Sequence, residues 1–467
     1  MRALRNVTPT PEQLKILSRT RPGVELIRGA AGSGKTTTAL LRLKSLIGFF
    51  LNRRLREGDR SPLNVLVLTY NRTLRGYIEA LTKEQTGSLK GVKLEVDTFG
   101  KWSKVALNNP RMVDREPHDS QILTLGATLG LPSNFLLDEV DYLLGRFLPT
   151  NLDNYVSIAR LGRGTSPRME KQRRQDLLDS VVAPYQNWKS QNHLVDWNDL
   201  AVHLASHKLR QGLDIVITDE AQDFSANQVR AILNQMAPVH SLTFVLDSAQ
   251  RIYPRGFTWQ EAGVVLGREN VNRLEHNYRN TIEIAQLAAS LIEGVPMDDD
   301  GSVPNFKTCS RHGEQPLLLR GRFTRQMDFV INHLIKNIDL GQESVAFLHP
   351  RGGGWFYEIK RRLSLAGLKF IEIARQADWP GGPENIALST LHSAKGLEFD
   401  HVIVVGLNAE VTIHGQDEDD DSLLTLRRLL AMGIGRARKS AILGCKQSEA
   451  SRLIDYLDPK TYKAVDL

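Results

Sequence analysis

Cysteine is almost absent: 467 residues carry only Cys309 and Cys445, far apart in the chain. That scarcity excludes a disulfide framework and a cysteine-built metal cluster, and it suits a reducing, cytoplasmic compartment. Long uncharged apolar runs are also missing. The most apolar stretch, Leu40 to Leu55, carries Arg42, Lys44, Arg53 and Arg54, which suits a helix packed on a sheet and not a membrane span. Met1 to Thr10 holds no apolar leader, so no secretory signal is expected. Repeats and low-complexity tracts are lacking. Acids are outnumbered, with 60 Lys and Arg against 53 Asp and Glu and a net charge of +7. Such a balance permits nucleic-acid binding without requiring it. The length calls for more than one domain.

What the chain does have begins at Gly29-Ala30-Ala31-Gly32-Ser33-Gly34-Lys35-Thr36. This run matches the phosphate-binding pattern G-x-x-x-x-G-K-[ST] at every fixed position, between an apolar strand, Val24–Ile27, and a helical run from Thr37. Its glycines let backbone N–H groups curl around a β-phosphate where a Cβ would block the turn. Lys35 can neutralise β- and γ-phosphate charge, and the Thr36 hydroxyl can ligate Mg²⁺. A nucleoside triphosphate, ATP in the reading below, is therefore expected. A second motif is Asp214-Ile-Val-Ile-Thr-Asp219-Glu220-Ala221-Gln222-Asp223. Its strand delivers Asp219 beside the loop as a metal ligand, and Glu220 as the base that orients and deprotonates the attacking water.

Apolar runs alternate with helical stretches, the signature of parallel α/β units. One set of strands is expected at Val24–Ile27, Val65–Thr69, Leu94–Phe99, Ile215–Thr218 and Leu242–Leu246. Another is expected at Leu317–Arg320, Val345–Leu348, Ile386–Ser389, Val402–Val405 and Ala441–Leu443. Between Trp102 and about Leu200 the strand signal gives way to charged helical periodicity, as in Met169 to Val182 and Asn198 to Lys208. The fold class that follows is α/β, two tandem RecA-like P-loop NTPase cores with a mostly helical insertion in the first. The acidic run Asp417-Glu418-Asp419-Asp420-Asp421 reads as a solvated loop in preference to a metal site, because its carboxylates need not converge.

Asp219-Glu220-Ala221-Gln222-Asp223 resembles the Walker B sequence of superfamily 1A DNA helicases of the UvrD/Rep/PcrA type. Pro11–Leu14 resembles the family's Q motif, Leu68–Arg72 motif Ia, Asp97–Gly100 motif Ib and Leu246–Tyr253 motif III. Leu274–Asn280 resembles motif IV, Thr390–Phe399 motif V and Arg427–Arg438 motif VI, all in the family's order. The resemblance implies that Gln13 reads adenine, Tyr278 stacks on it, Glu398 touches the ribose and Gln250 senses the γ-phosphate. It makes Arg279 and Arg436 the arginines that reach the γ-phosphoryl group. It implies a path for single-stranded DNA over Tyr70, Arg72, Thr98, Phe99, Tyr253, Trp259 and His392. The implied domains are 1–102 with 200–272 (core 1A), 103–199 (insertion 1B) and 273–467 (core 2A).

Three departures stand out. The family's tryptophan after Tyr253 is missing, with Trp259 further on. Motif VI has Ala431 and Gly435 where the family usually has tyrosine and threonine. Between Arg279 and His392 there is little more chain than one core needs, so the 2B insertion is expected to be absent or vestigial. The function implied is an ATP-dependent 3′→5′ single-stranded DNA translocase and helicase, with single-stranded and tailed duplex DNA as partners. A protein partner could replace 2B, and no membrane is involved. Two alternatives stay open: a DNA-stimulated regulatory ATPase controlling a partner nuclease or effector, and an RNA-directed enzyme of the same superfamily. A kinase or GTPase is disfavoured, since neither accounts for Arg279, Arg436 and the second core.

Overall fold

The computed structural model describes residues 9–29, 32–69, 79, 90–160, 167–246, 256–295, 309, 311–373, 384–394, 397–418 and 420–467. Two parallel sheets organise them. The first holds β1 (Gly23–Gly29), β2 (Leu63–Thr69), β3 (Val92–Thr98), β4 (Leu213–Thr218), β5 (Met236–Leu246) and β6 (Val271–Leu274). Their order is β3-β2-β4-β5-β1-β6, parallel throughout. The second holds β7 (Leu317–Arg320), β8 (Val345–His349), β9 (Phe370–Glu372), β10 (Ile386–Thr390), β11 (Phe399–Val404), β12 (Ala437–Cys445) and β13 (Lys463–Asp466). Their order is β13-β7-β12-β11-β8-β10-β9, again parallel. Central strands of a parallel sheet are covered on both faces and so read as unbroken apolar runs. All five residues of β8 and all six of β11 are buried.

The sheet edges carry the main differences from the sequence expectation. β6 pairs with β1, so the first sheet runs two residues past the expected boundary at 272. Phe99 does not end β3 but begins the helix Phe99–Ala106. β9 and β13 are additional strands at the two edges of the second sheet.

The helix Lys35–Glu57 follows the phosphate loop and packs Ala39, Leu40, Leu43, Leu46, Ile47 and Phe50 inward at helical spacing. It ends at Gly58, whose φ of 72° is the left-handed stop that glycine adopts without a Cβ penalty. Arg42 is fully buried in its inner face, where Nε donates to Thr243 Oγ1 at 3.4 Å and the guanidinium also reaches the Arg19 carbonyl.

The insertion is helical over its described residues. One long helix runs from Lys171 to Gln191 with a π-turn at Leu178–Val182. Pro184 lies just beyond that turn and lacks the N–H an α-helical bond there would need, which accounts for the widened ladder. The insertion has its own apolar cluster, including Leu143, Tyr155, Leu177, Val181 and Tyr185. It is tied to the first core by the helix Ala226–Asn234. Asn227 Nδ2 donates to the carbonyls of Leu144 and Phe147, both at 2.8 Å, and Arg230 Nη1 donates to Arg146 O at 2.7 Å.

Each sheet has its own apolar cluster on one face, while the other faces share a third. A single buried cluster runs from Ile16, Leu43 and Val245 of the first, through Leu287 and Leu291 of the helix Ile282–Ile292, to Leu430, Val404 and Leu443 of the second. That helix lies on Asp421–Ile434, where Arg427 Nε donates to Leu291 O at 2.7 Å and its guanidinium sits 3.9 Å from the Tyr456 ring centre. No helix among the described residues is long and apolar enough to cross a membrane.

Candidate functional site

In a parallel sheet all strand C-termini share one edge, and ligands gather there. β1 ends at Gly29 and β4 at Thr218, so the phosphate loop and Asp219-Glu220 open onto the same edge. Gly32 and Gly34 have φ of 85° and 77°, the left-handed turns the loop requires. A Cβ on Gly29 would stand 2.4 Å from Ser33 Oγ, and one on Gly34 2.5 Å from Gln13 Nε2. Ala30 and Ala31 lie outside the described residues. Ser33 is buried, and Thr37 is half-buried in the first helical turn. Lys35 Nζ donates to Gly29 O at 2.7 Å, so it spans the mouth of the loop.

Thr36 Oγ1 donates to both oxygens of Asp219, at 3.1 and 3.0 Å. Burial and the neighbouring Glu220 carboxylate push the Asp219 carboxyl up to about 7, while the Thr36 hydroxyl and Lys35 pull it back. A carboxylate held at that cost beside a hydroxyl matches the donor set of a hard divalent cation shared with phosphates. Glu220 sits at φ 53°, a left-handed conformation that is uncommon for a residue without a local polar turn. Gln222 Nε2 donates to its Oε2.

Gln13 is buried at the start of the chain's first described helix, Pro11–Leu17. Its Oε1 accepts from Thr10 N at 3.0 Å, and its Nε2 points at Gly34 O, 3.5 Å away. Tyr278 is half-buried, and its ring lies 5.9 Å from that of His276, which in turn meets Glu12 Oε1 at 2.6 Å. Gln13 and Tyr278 thus flank the phosphate loop at Gly34 and Gly32.

The second sheet approaches the loop with its N-terminal edge. Glu398 precedes β11 and Arg436 precedes β12, and Phe399 N donates to Arg436 O at 3.0 Å. Arg279 arrives from the segment after β6. Its Nη2 pairs with Glu398 Oε1, and its Nη1 reaches Gly435 O at 3.4 Å. Burial alone would raise the Glu398 carboxyl, but Arg279 beside it holds it below the ordinary range. The glutamate expected at a ribose is thus engaged with an arginine. Arg436 is buried, 3% exposed.

Of the expected DNA path, Tyr70, Arg72 and Tyr253 lie outside the described residues, as does the γ-phosphate sensor Gln250. Phe99, expected on that path as a stacking ring, is 4% exposed and packs edge-on against Trp102 and Phe224 inside the first core. Trp259 is half-buried and leans on Phe244 of β5, with ring centres 4.8 Å apart, so core packing takes one of its faces. The Thr98 hydroxyl accepts from Lys101 N at 3.3 Å and caps the helix that Phe99 begins. His392 is exposed just after β10, at the opposite edge of the second sheet from Glu398 and Arg436. Within the acidic run, Asp420 accepts from Leu423 N at 2.9 Å and caps the helix Asp421–Ile434.

Sequence reasoning gave no role to Asn277 and Asn280, which join the two cores. Tyr278 N and Arg279 N both donate to Gly32 O, at 3.0 and 3.2 Å. Asn277 lies so close that a Cβ on Gly32 would meet its Oδ1 at 2.1 Å. The only signal in the sequence was their position, flanking Tyr278 and Arg279.

Comparison with known proteins fits this geometry. Residues 10–264 match the model of the UvrD/REP helicase N-terminal domain, and residues 356–448 that of the UvrD-like helicase C-terminal domain. A probable DNA helicase of Mycoplasma pneumoniae is 23% identical over 289 residues, 56% of this chain and 51% of that protein. The ATP-dependent DNA helicase PcrA of Staphylococcus aureus is 23% identical over 373 residues, 72% of this chain and 46% of that one. The ATP-dependent DNA helicase Rep of Buchnera aphidicola is 41% identical over 58 residues, 12% of this chain and 9% of its own. The chain spans about half the length, or less, of the curated relatives it matches.

Proposed function

Because this chain belongs to the UvrD/REP helicase family, we propose that it is an ATP-dependent motor that moves 3′→5′ along single-stranded DNA and separates duplex. ATP is hydrolysed between the two cores. The observation that carries the reading is the Thr36–Asp219 contact at the base of the phosphate loop, with Glu220 beside it and Arg279 drawn against Gly32. The DNA preference rests on the relatives, which are named as DNA helicases, and the polarity on the resemblance of the motifs alone.

In this mechanism the loop N–H groups and Lys35 hold the β- and γ-phosphates. Thr36 and Asp219 would hold Mg²⁺, which would screen phosphate charge. Glu220 orients the attacking water and accepts its proton. Arg279 and Arg436 neutralise charge that spreads over the γ-phosphoryl, a contribution of about 10³–10⁵ in rate for such arginines. Arg279 exchanges its Glu398 partner for phosphate oxygens as it does so. Nucleotide binding draws the cores together and hydrolysis releases them, so a strand lying across both is gripped by each in turn.

The test is ATP-dependent unwinding of a short duplex with either a 3′ or a 5′ single-stranded tail, with Lys35→Ala as the control. Unwinding of the 3′-tailed duplex alone, lost in Lys35→Ala, is the expected result. Hydrolysis stimulated by single strands without unwinding of either substrate would replace this reading with the regulatory ATPase. Stronger stimulation by RNA than by DNA would move the substrate to RNA.

A further inference from the structure

We propose that Asn280 is a positioning residue that sets Arg436 for catalysis and ties it to the phosphate loop. The proposal rests on the reading that Arg436 acts on the γ-phosphoryl group. Asn280 is 2% exposed. Its side-chain Nδ2 donates to Gly435 O at 3.0 Å and to Ala437 O at 2.6 Å. Those are the carbonyls on either side of Arg436. The Arg436 carbonyl accepts from Phe399 N at 3.0 Å, and Arg436 N donates to Gly433 O at 3.1 Å. Three consecutive carbonyls are thereby fixed from outside their own segment, two of them by one carboxamide.

The backbone there needs such fixing. Gly433 and Gly435 both precede Arg436 within three residues, and glycine leaves the chain more freedom than any other residue. Gly435 has φ of −63°, and a Cβ there would meet nothing nearer than 3.3 Å. That φ is one any residue adopts, so hydrogen bonds and not a special glycine conformation fix this backbone.

The other end of the link is the phosphate loop. Asn280 Oδ1 accepts from Asn277 Nδ2 at 2.9 Å, and Asn277 Oδ1 accepts from Arg279 N and Asn280 N, each at 3.0 Å. Asn277 is pressed against Gly32, whose carbonyl takes Tyr278 N and Arg279 N. A short unbroken run of hydrogen bonds thus connects the loop that holds phosphate to the arginine that must meet it. Only a primary amide supplies two donors to the carbonyls and one acceptor to Asn277. Aspartate would turn oxygens toward carbonyls, and serine offers a single donor.

A double-mutant cycle on single-strand-stimulated ATP turnover tests this, using Asn280→Ala, Arg436→Ala and the pair. Asn280→Ala is expected to lower kcat about 10- to 100-fold with KM for ATP changed less than about 3-fold, since the loss is felt in the transition state. In the Arg436→Ala background the same change should cost less than about 3-fold, because the group it positions is gone. An equal loss in both backgrounds, or an unchanged kcat, overturns the proposal. If Asn280→Ala does not fold at the assay temperature, Asn280→Ser takes its place in the cycle, with the same outcomes deciding. Arg436→Ala with parental turnover would instead sink the reading of Arg436 itself, and the single variant reports that separately.

Discussion

Glu220 pairs a strained backbone with a carboxylate crowded against Asp219. Glu220→Gln keeps the shape and removes the carboxylate proposed as the base. The variant should bind ATP while turnover falls by about 10²–10⁴; weak nucleotide binding instead would make Glu220 a ligand. Phe99 makes the opposite case. Its place in a DNA-binding motif suggested a stacking platform, yet the ring is sealed against Trp102 and Phe224. Phe99→Ala should cost about 3–5 kcal/mol in urea unfolding, with single-strand affinity of the folded fraction unchanged. The motif was legible at this position, but whether an aromatic after a strand points in or out depends on the helix that starts there. His349 supplies a pH test. It is fully buried at the end of β8, its Nδ1 accepts from Arg351 N and Gly352 N, and burial pushes it down to about 4. The unfolded chain takes up the proton near 6.5 while the native state refuses it until about 4. This contribution is therefore whole above about 6.5 and lost as pH falls toward 4, up to about 3 kcal/mol. His349→Asn keeps the acceptor and should flatten the slope of urea stability between pH 7.5 and 5; an unaltered slope would mean that other groups carry it.

At the scale of elements, the central strands were legible because a parallel sheet buries them on both faces and leaves an unbroken apolar run. β6, β9 and β13 were not. Val-Asn-Arg-Leu, Phe-Ile-Glu and Lys-Ala-Val-Asp are short and mixed, and each sits at a sheet edge with one neighbour. An edge strand needs less apolar surface, and charge there guards against stray pairing. The helical insertion was legible from its periodicity, but its docking was not, since that depends on side chains reaching distant carbonyls. Asn227→Ala removes both donors to Leu144 O and Phe147 O. It should destabilise by about 1–3 kcal/mol, the cost of stranding buried carbonyls. The loss should appear first as protease cleavage within the insertion; cleavage confined to the two cores would locate the weakness elsewhere.

For the molecule as a whole, the phosphate loop and its Thr36–Asp219 contact were legible in the first core, where a short motif carries its own geometry. The second core's contribution was legible only in part. Arg279, Glu398 and Arg436 stood out by resemblance, whereas Asn277 and Asn280 beside them did not, because a buried amide looks like any other until its partners are known. The apolar cluster that runs without a break from one sheet to the other through Ile282–Ile292 bears on how the two cores can move against each other. Cores joined by shared grease close and open about that cluster far more cheaply than they part there, since parting would wet it. A movement that keeps the cluster dry leaves the heat capacity almost unchanged. Exposing or covering about 500 Å² of apolar surface would shift the heat capacity by about 0.2 kcal/mol/K. Titration of a non-hydrolysable ATP analogue across a range of temperatures should give a binding enthalpy nearly independent of temperature. A stroke driven that way would lose little force in the cold.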